Sequence, residues 1–309
     1  MDRGKNNDLL PNSEYSEDIY RHLQHIETTR MPRQRFMDSL PEQAWRARAL
    51  VVDSLLLLHR QLELLSETFW MAINLFDRLL SLRNIPVKRY QFTGLVCTSL
   101  AAKSQETIPR RVNWWELSSD DGDDADKFLA GELMACQQLE WRLECPNPLS
   151  FLRRISVFDD SDVISFRLAK YLVLMQCFDP HLLEYRSSLI AASAYWLTRI
   201  SLRRFNWPEN LYNATGYRKD ELLPAATCMV RYLCNPVKLE NFFYLFASTP
   251  RLKASEFFHD WARSHWEEGS RLNAGLEAEL PFLMEEKDDS WRELYPFEEW
   301  IEQEQKRDS

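Results

Sequence analysis

The six histidines do not show the spacing of a metal or catalytic site. None forms H-E-x-x-H or a related ligand pair, and the chain has neither a glycine-rich phosphate loop nor a G-x-S-x-G nucleophile motif. The acidic run "DDGDDAD" at 120–126 resembles a calcium loop only in its charge, because it lacks the ligand at position 12 of a D-x-D-x-D-G frame. We therefore predict no metal, no cofactor and no enzymatic activity.

Two charged residues lie on apolar helical faces. Arg48 shares a face with Val52 and Leu55. Asp77 shares a face with Ile73 in the next helical segment. Charges on such faces are paired when they are buried. We predict a buried salt bridge between Arg48 and Asp77, and removal of one partner is expected to cost about 3–5 kcal/mol of stability.

A second charged pair, Lys103 and Glu132, has two interpretations. Lys103 ends the small, apolar segment "GLVCTSLAA" at 94–102, and Glu132 interrupts an apolar stripe between Phe128 and Ala135. The two side chains could pair with each other or extend to water. Alternatively, they hold a donor and an acceptor ready for the backbone of a partner protein. Each charged hydrogen bond of that kind contributes about 1.5–3 kcal/mol.

The elements that position these residues are predicted to be helices. The chain has only 7 glycines, which disfavours hairpins and tight turns. Apolar residues recur with helical spacing at 14–26, 44–62, 67–82, 87–103, 125–143, 148–157, 161–176, 180–185, 187–201, 219–234 and 237–246. The small-residue segments "TGLVCTSLAAK" (93–103) and "SLIAASAYWLTRI" (188–200) hold similar places in the two halves, which favours a duplicated five-helix unit.

This pattern predicts an all-α fold with four parts. An N-terminal helix and linker occupy residues 1–43, two five-helix domains occupy 44–145 and 146–250, and an acidic, aromatic helical extension occupies 251–309. In the extension, "SEFFHDWARSHWEE" and "SWRELYPFEEWIEQEQ" are both amphipathic, and Ser290 and Glu293 have the spacing of a capping box. The extension therefore either packs back on the body or binds a partner.

The charge distribution excludes several classes of function. From residue 252 onward the chain has 16 acidic and 7 basic residues, which accounts for the whole net charge of −9. The preceding body is balanced and lacks the basic stripe that nucleic-acid binding requires. No apolar run approaches the roughly 18 residues of a membrane span, so we expect no membrane partner. The six cysteines include no C-x-x-C pair and are expected to be buried, reduced thiols of an intracellular protein.

Taken in order, several segments resemble the A- and B-type cyclins, and the B-type most. The resemblance extends from residue 15 to about 250, and the segments that carry it are "YSEDIYRHL" (15–23), "RALVVDS" (48–54), "NLFDRLLS" (74–81), "LAAKSQE" (100–106), "AGELMACQQLEWRL" (130–143), "FLRR" (151–154), "LAKYL" (168–172), "SLIAASA" (188–194) and "TGY" (215–217). The resemblance implies two tandem cyclin boxes, preceded by an N-terminal helix, in a regulatory subunit of a cyclin-dependent serine/threonine kinase.

The same resemblance implies roles for individual residues. Lys103 and Glu132 match the pair with which the family grips the kinase near its PSTAIRE helix, and Arg48 and Asp77 match the salt bridge that orders the first box. The remaining kinase-binding positions are Tyr15 and Ile19 on the N-terminal helix, and Trp141 and Leu143 at the end of the fifth helix.

The chain departs from the family at the substrate-docking patch. The family pattern M-R-A-I-L-x-x-W begins with methionine and ends with tryptophan, but here those positions are Ala47 and Ser54. Leu50, Val51 and Gln91 are compatible with the patch. Since the two large side chains supply most of the anchoring area of a shallow groove, we predict weak or absent docking of R-x-L peptides.

The predicted function is activation of a cyclin-dependent kinase at the G2/M stage of the cell cycle. Kinase substrates or inhibitors are further candidate partners. The alternative is a cyclin-fold scaffold or adaptor that does not activate a kinase, since the fold also serves such proteins. The segment after Lys103 diverges, with Ser104 and Gln105 where the family has an aromatic residue and a glutamate, so kinase preference could differ. We expect the protein in the nucleus and the cytoplasm.

Overall fold

The computed structural model describes residues 15–33, 36, 40–108, 112–118, 124–234, 239–265 and 291–307. These residues form α-helices joined by short 3-10 turns, and none of them lies in a strand. The chain divides after Asn147 into two compact units. The prediction of an all-α fold is confirmed.

The first unit is built around one small-residue helix. Its helices are α1 (Ser16–Thr29), α2 (Glu42–Gln61), α3 (Ser66–Leu82), α4 (Tyr90–Gln105) and α5 (Ala125–Gln138), with 3-10 turns at Val87–Arg89 and Trp114–Leu117. Helix α4 packs against α2, α3 and α5, and it is buried continuously from Gly94 to Ala102. Its small side chains let the three neighbouring helices approach closely. Because those helices cover several sides of α4, the segment "GLVCTSLAA" has no polar face.

The second unit repeats this arrangement around a helix of similar composition. Its helices are α6 (Pro148–Phe158), α7 (Val163–Leu174), α8 (Ser187–Ser201), α9 (Glu209–Thr215), α10 (Lys219–Cys234), α11 (Glu240–Phe246), α12 (Ala254–His265), α13 (Trp291–Leu294) and α14 (Phe297–Arg307), with 3-10 turns at Met175–Cys177, Leu182–Glu184 and Thr249–Arg251. Helix α8 is buried along almost its whole length and packs against α6, α7 and α10. It therefore takes the central place in this unit that α4 takes in the first.

Several helix boundaries differ from the predicted ones. Helix α5 ends at Gln138 rather than residue 143, because Glu140 and Trp141 have left-handed backbone angles, φ 53° and 60°. The predicted helix at 180–185 is only a 3-10 turn at its centre, and the short helix α9 was not predicted. Residues 120–123 of the acidic run lie outside the described residues, as does Ser290 of the capping box.

The described part of the C-terminal extension packs on the second unit. The ring of Phe257 in α12 meets the rings of Tyr295 and Phe297 edge-on, at 5.3 and 5.2 Å between centroids. The Tyr295 hydroxyl donates to Asp260 Oδ2 at 2.6 Å. Glu304 in α14 forms an ion pair with the Arg167 guanidinium of α7. These contacts correspond to the first of the two interpretations, in which the extension lies on its own body.

A substitution at Gly94 tests the close packing of α2 on α4. A Cβ atom on Gly94 would lie 3.0 Å from both Leu55 Cδ1 and Val51 Cγ1. We expect Gly94→Ala to lower the free energy of unfolding, because overpacking costs about 1–3 kcal/mol while the gain in helix propensity returns about 1 kcal/mol. Urea unfolding would measure the change, with the exposed Ala130→Gly in α5 as the propensity reference. An increase in stability for Gly94→Ala would contradict the close contact.

Candidate functional site

Lys103 and Glu132 form a partly buried ion pair between α4 and α5. Lys103 Nζ donates to Glu132 Oε1 at 2.7 Å and to Oε2 at 2.6 Å. The Glu132 carboxylate also accepts a hydrogen bond from Ser99 Oγ at 2.7 Å, so it is held from two sides. The side chain of Glu132 is 7% exposed whereas that of Lys103 is 58% exposed. The pair therefore has a fixed, buried acid and an ammonium group in contact with solvent.

This geometry is compatible with both interpretations of the pair. The side chains do pair with each other, yet an ammonium group has three N–H donors and Glu132 accepts from it twice. A further donor is available to a carbonyl oxygen that approaches from solvent. Ser99 was not identified from sequence, and its hydroxyl is what fixes the Glu132 carboxylate one turn before Lys103 on α4.

Exposed apolar side chains lie on the same helix as Glu132. Leu129, Leu133 and Met134 of α5 are each at least half exposed. Leu129 and Leu133 lie outside the buried stripe of Phe128 and Glu132. Because they are four residues apart, they are neighbours on the helix surface, and this spacing could have predicted a second apolar face from the sequence. Apolar patches rimmed by charge are typical of protein–protein contact surfaces.

The segment after Lys103 is fixed to the start of α3. The Glu106 carboxylate accepts hydrogen bonds from the backbone N–H of Leu65 at 2.8 Å and from the Thr68 hydroxyl at 2.5 Å. Leu65 is the N-cap residue of α3 and has no side-chain cap of its own, so Glu106 supplies the acceptor from a neighbouring helix. Gln105 Nε2 lies 3.3 Å from Met71 Sδ. The last turn of α4 is thus tied to α3.

Helix α1 is anchored at one end and exposed at the other. Asn74 Nδ2 donates to the Arg30 carbonyl at 3.0 Å just beyond the C-terminal end of α1, where Ile26 is buried. Tyr15 and Ile19 at the other end are 64% and 43% exposed. The two positions that the resemblance implies in kinase binding are therefore presented to solvent, one helical turn apart.

Trp141 and Leu143 lie beyond the end of α5. Trp141 is 66% exposed and Leu143 is half-buried. Between them, the Arg142 carbonyl accepts a hydrogen bond from Arg78 Nη2 at 2.8 Å, which ties the segment to α3. The expectation that both residues end the fifth helix is corrected, because they lie in the irregular segment that follows it.

Arg48 and Asp77 lie together in the interior of the first unit. Arg48 Nε donates to Asp77 Oδ1 at 2.6 Å, and Nη2 donates to Oδ2 at 2.7 Å, in a bidentate arrangement. The side chains are 0% and 3% exposed. The guanidinium also lies over the ring of Trp45, 4.8 Å from its centroid. This pair links α2 to α3 and has no exposed donor for a partner.

The five docking-patch positions lie on α2 and near the start of α4. Ser54 Oγ is 3.3 Å from Gln91 Oε1, and it also donates to the Val51 carbonyl at 2.8 Å. Leu50 is 63% exposed, Val51 is buried and Ala47 is half-buried. Leu50 is therefore the one large apolar side chain that these five positions offer to solvent.

The cysteines do not form a reactive site among the described residues. All six are free thiols. Burial raises the pKa of Cys97 and of Cys136, and the nearby Asp77 and Glu132 carboxylates raise them further. Burial raises the pKa of Cys145 to about 12. Thiols with raised pKa values are poor nucleophiles. No cluster of His, Cys, Asp and Glu able to hold a metal ion occurs in the part of the chain that the structure describes.

Both units match models of known protein domains. Residues 18–144 match "Cyclin, N-terminal domain", and residues 146–260 match "Cyclin, C-terminal domain". Within the described ranges, no helix is both long and apolar enough to cross a membrane.

Individual relatives agree with the domain matches. The chain is 37% identical over 258 residues to the G2/mitotic-specific cyclin cdc13 of Schizosaccharomyces pombe, and 33% identical over 258 residues to the G2/mitotic-specific cyclin-B of Emericella nidulans. Each alignment covers 84% of this chain and 54% of the relative, so the chain spans about half the length of these curated relatives. The crystal structure of a viral cyclin from herpesvirus saimiri matches 68% of this chain and 94% of its own, with a TM-score of 0.57 at 18% identity, which supports the fold.

The two domain matches follow each other along the chain in the order of the two structural units. Membership of this family agrees with the prediction that the chain is not an enzyme. The chain belongs to the cyclin family.

Proposed function

We propose that the chain is the regulatory subunit of a cyclin-dependent serine/threonine kinase and activates it at the G2/M stage of the cell cycle. The observation that carries this proposal is the Lys103–Glu132 pair, in which a buried acid holds an ammonium group at the surface. The exposed Leu129, Leu133 and Met134 on the same helix as Glu132 supply apolar area for a partner helix.

The proposed mechanism is allosteric, and the cyclin performs no chemistry. Protein kinases require an ion pair between a lysine and the glutamate of a mobile helix, together with a metal-binding aspartate, to be in place at once. A cyclin that binds only the active position of that helix shifts the population toward it. Moving such an equilibrium from 1:99 to 99:1 requires about 5.5 kcal/mol of differential binding. One charged hydrogen bond from Lys103 contributes about 1.5–3 kcal/mol, and burial of apolar side chains such as Leu129 and Leu133 at about 1.5–3 kcal/mol each supplies the remainder.

The other predicted positions are assigned to the same interface. Tyr15 and Ile19 lie exposed on α1, and Trp141 lies exposed beyond α5. In this proposal they extend the contact with the kinase beyond the charged pair. Leu143, which is half-buried, supports the backbone beside Trp141. In this proposal the kinase is recognised by residues 1–43 and by the cyclin box at 44–145. We expect the complex in the nucleus and the cytoplasm.

Co-purification followed by an activity assay tests the proposal. The full chain is expressed with an affinity tag in dividing cells, and the kinase that it retains is identified by mass spectrometry. We expect a cyclin-dependent kinase whose activity on a protein substrate rises at least about a hundredfold when the chain is added. Retention of a kinase without activation, or no retained kinase at all, would contradict the proposal and favour a scaffold or adaptor that does not activate a kinase.

The degenerate docking patch leads to a separate prediction. We expect a short R-x-L peptide to show no binding at micromolar concentration, because Ala47 and Ser54 replace the two large anchors and Leu50 alone is exposed. Fluorescence anisotropy with a labelled peptide measures the affinity. The double variant Ala47→Met with Ser54→Trp is the matched control and is expected to gain binding. Micromolar affinity in the parent chain would contradict the prediction.

A further inference from the structure

Thr249 combines an exposed hydroxyl with a proline at the next position. Of the 14 prolines in the chain, Pro250 alone follows a serine or threonine. Basic residues follow at Arg251 and Lys253. Threonine followed by proline is the acceptor sequence of proline-directed serine/threonine kinases. We propose that Thr249 is a phosphorylation site for a kinase of this class.

The local structure makes this hydroxyl accessible. Thr249 and Pro250 are both exposed, in the 3-10 turn Thr249–Arg251 between α11 and α12. Leu252 is fully buried just after them, so the turn is anchored on one side and open on the other. Among the described residues, the Thr249 side chain has no hydrogen-bond partner. Adding a phosphate there removes no hydrogen bond of the Thr249 side chain itself.

The backbone of the turn can open for a kinase active site. Three hydrogen bonds close it: Arg251 N and Lys253 N donate to the Ser248 carbonyl at 3.0 and 3.1 Å, and Leu252 N donates to the Thr249 carbonyl at 2.8 Å. Pro250 has no N–H to leave unpaired, and a residue before proline favours an extended backbone. Leu252 and Lys253 have left-handed φ angles of 55° and 46°, which makes the closed form less favourable than an ordinary turn.

The phosphate would lie at the site where the C-terminal helix docks. Helix α14 packs against this turn, and it contains four glutamates against one lysine and one arginine. A phosphothreonine adds about −1.5 to −2 charges at pH 7. Arg251 and Lys253 are the nearby cations, and Lys253 already pairs with Glu256 at 3.2 Å. The new dianion competes for these cations and repels α14, so phosphorylation loosens the helix from the second unit.

The reaction is an ordinary phosphoryl transfer from a nucleoside triphosphate. The Thr249 Oγ1–H bond is replaced by an O–P bond to the γ-phosphorus, and the bond from that phosphorus to the bridging oxygen breaks. The nucleoside diphosphate leaves, and the hydroxyl proton passes to a base of the kinase. This inference goes beyond the proposed function, and its test does not depend on it, because the kinase used below requires no cyclin.

The experiment uses the full chain, ATP and a purified proline-directed serine/threonine kinase that is active without a cyclin. Trypsin releases residues 239–251 as one peptide, and fragmentation in the mass spectrometer separates Thr249 from Ser248. We expect phosphate on Thr249 and none on Thr107, an exposed threonine followed by isoleucine. Pro250→Ala retains the hydroxyl and is expected to lower the rate by about tenfold or more, while Thr249→Ser retains modification. Equal modification of the Pro250→Ala chain, or none at Thr249, would overturn the proposal.

Hydrogen exchange measures the effect on α14. Amides of residues 297–307 are expected to exchange about fivefold faster or more after phosphorylation, with α8 unchanged as the internal reference. Thr249→Ala treated in the same way is the control and should show no change. Unchanged or slower exchange of α14 in the phosphorylated chain would overturn the inferred effect on the helix.

Discussion

Exchanging the charges of Lys103 and Glu132 is expected to weaken kinase binding strongly while leaving the chain folded. In Lys103→Glu with Glu132→Lys, the ion pair between α4 and α5 is retained with its polarity reversed, and Ser99 can accept from the new lysine. A partner carbonyl would then meet a carboxylate instead of an ammonium donor. Losing the charged hydrogen bond from Lys103, which contributes about 1.5–3 kcal/mol, weakens binding by roughly 10- to 150-fold.

Two measurements separate the loss of binding from unfolding. Calorimetry of the isolated chain should give a thermal midpoint close to the parent value, and surface plasmon resonance against the kinase should show the weakened affinity. Lys219→Glu, which reverses an exposed lysine on α10 of the second unit, is the matched control and is expected to bind normally. Affinity of the exchanged chain within a factor of about three of the parent would count against the proposed interface.

Breaking the Arg48–Asp77 pair is expected to have the largest effect on stability. Asp77→Ala leaves a fully buried guanidinium without its carboxylate, and removal of one partner of a buried pair costs about 3–5 kcal/mol. Since whole domains are stable by about 5–15 kcal/mol, the first unit would lose a large part of its stability. At about 4 °C per kcal/mol, the midpoint for this unit falls by roughly 12–20 °C.

The controls for this second prediction come from the same chain. Arg48→Met with Asp77→Leu removes both charges and fills a similar volume, so it is expected to be much less destabilising than Asp77→Ala. In the second unit, Arg199 donates to both oxygens of Asp159 at 2.8 and 2.6 Å, with the acid 14% exposed. Asp159→Ala should therefore cost less. Circular dichroism during heating gives the comparison, and equal midpoints for Asp77→Ala and the parent would refute a structural role for the pair.

Charged residues on apolar faces were the most informative part of the sequence. Arg48, Asp77, Lys103 and Glu132 each interrupt a helical stripe, and the structure brings them together as two ion pairs. A buried charge without a partner is very unfavourable, so a charged residue on an apolar helical face implies a partner nearby. The small-residue segments indicated the central helices for a related reason, since only small side chains permit close approach on several sides.

Other features could not be derived from the sequence, for identifiable reasons. The end of α5 depends on left-handed angles at Glu140 and Trp141, residue types that do not favour this conformation. The seven-residue α9 is too short to show helical periodicity. The acceptor roles of Glu132 toward Ser99 and of Glu106 toward Thr68 depend on which helices become neighbours, which local pattern does not specify.

The link from Glu106 to the start of α3 has a consequence for how partner choice can evolve. Lys103 is held at one side of Ser104 and Gln105 by Glu132, and Glu106 is held at the other by α3. The two intervening side chains are exposed on a backbone that is clamped at both ends. Under the proposed function, mutations at Ser104 and Gln105 change the side chains offered to the kinase while Lys103 and Glu106 stay held. This short segment is therefore a place where duplicated cyclin genes could diverge in kinase preference at little risk to folding.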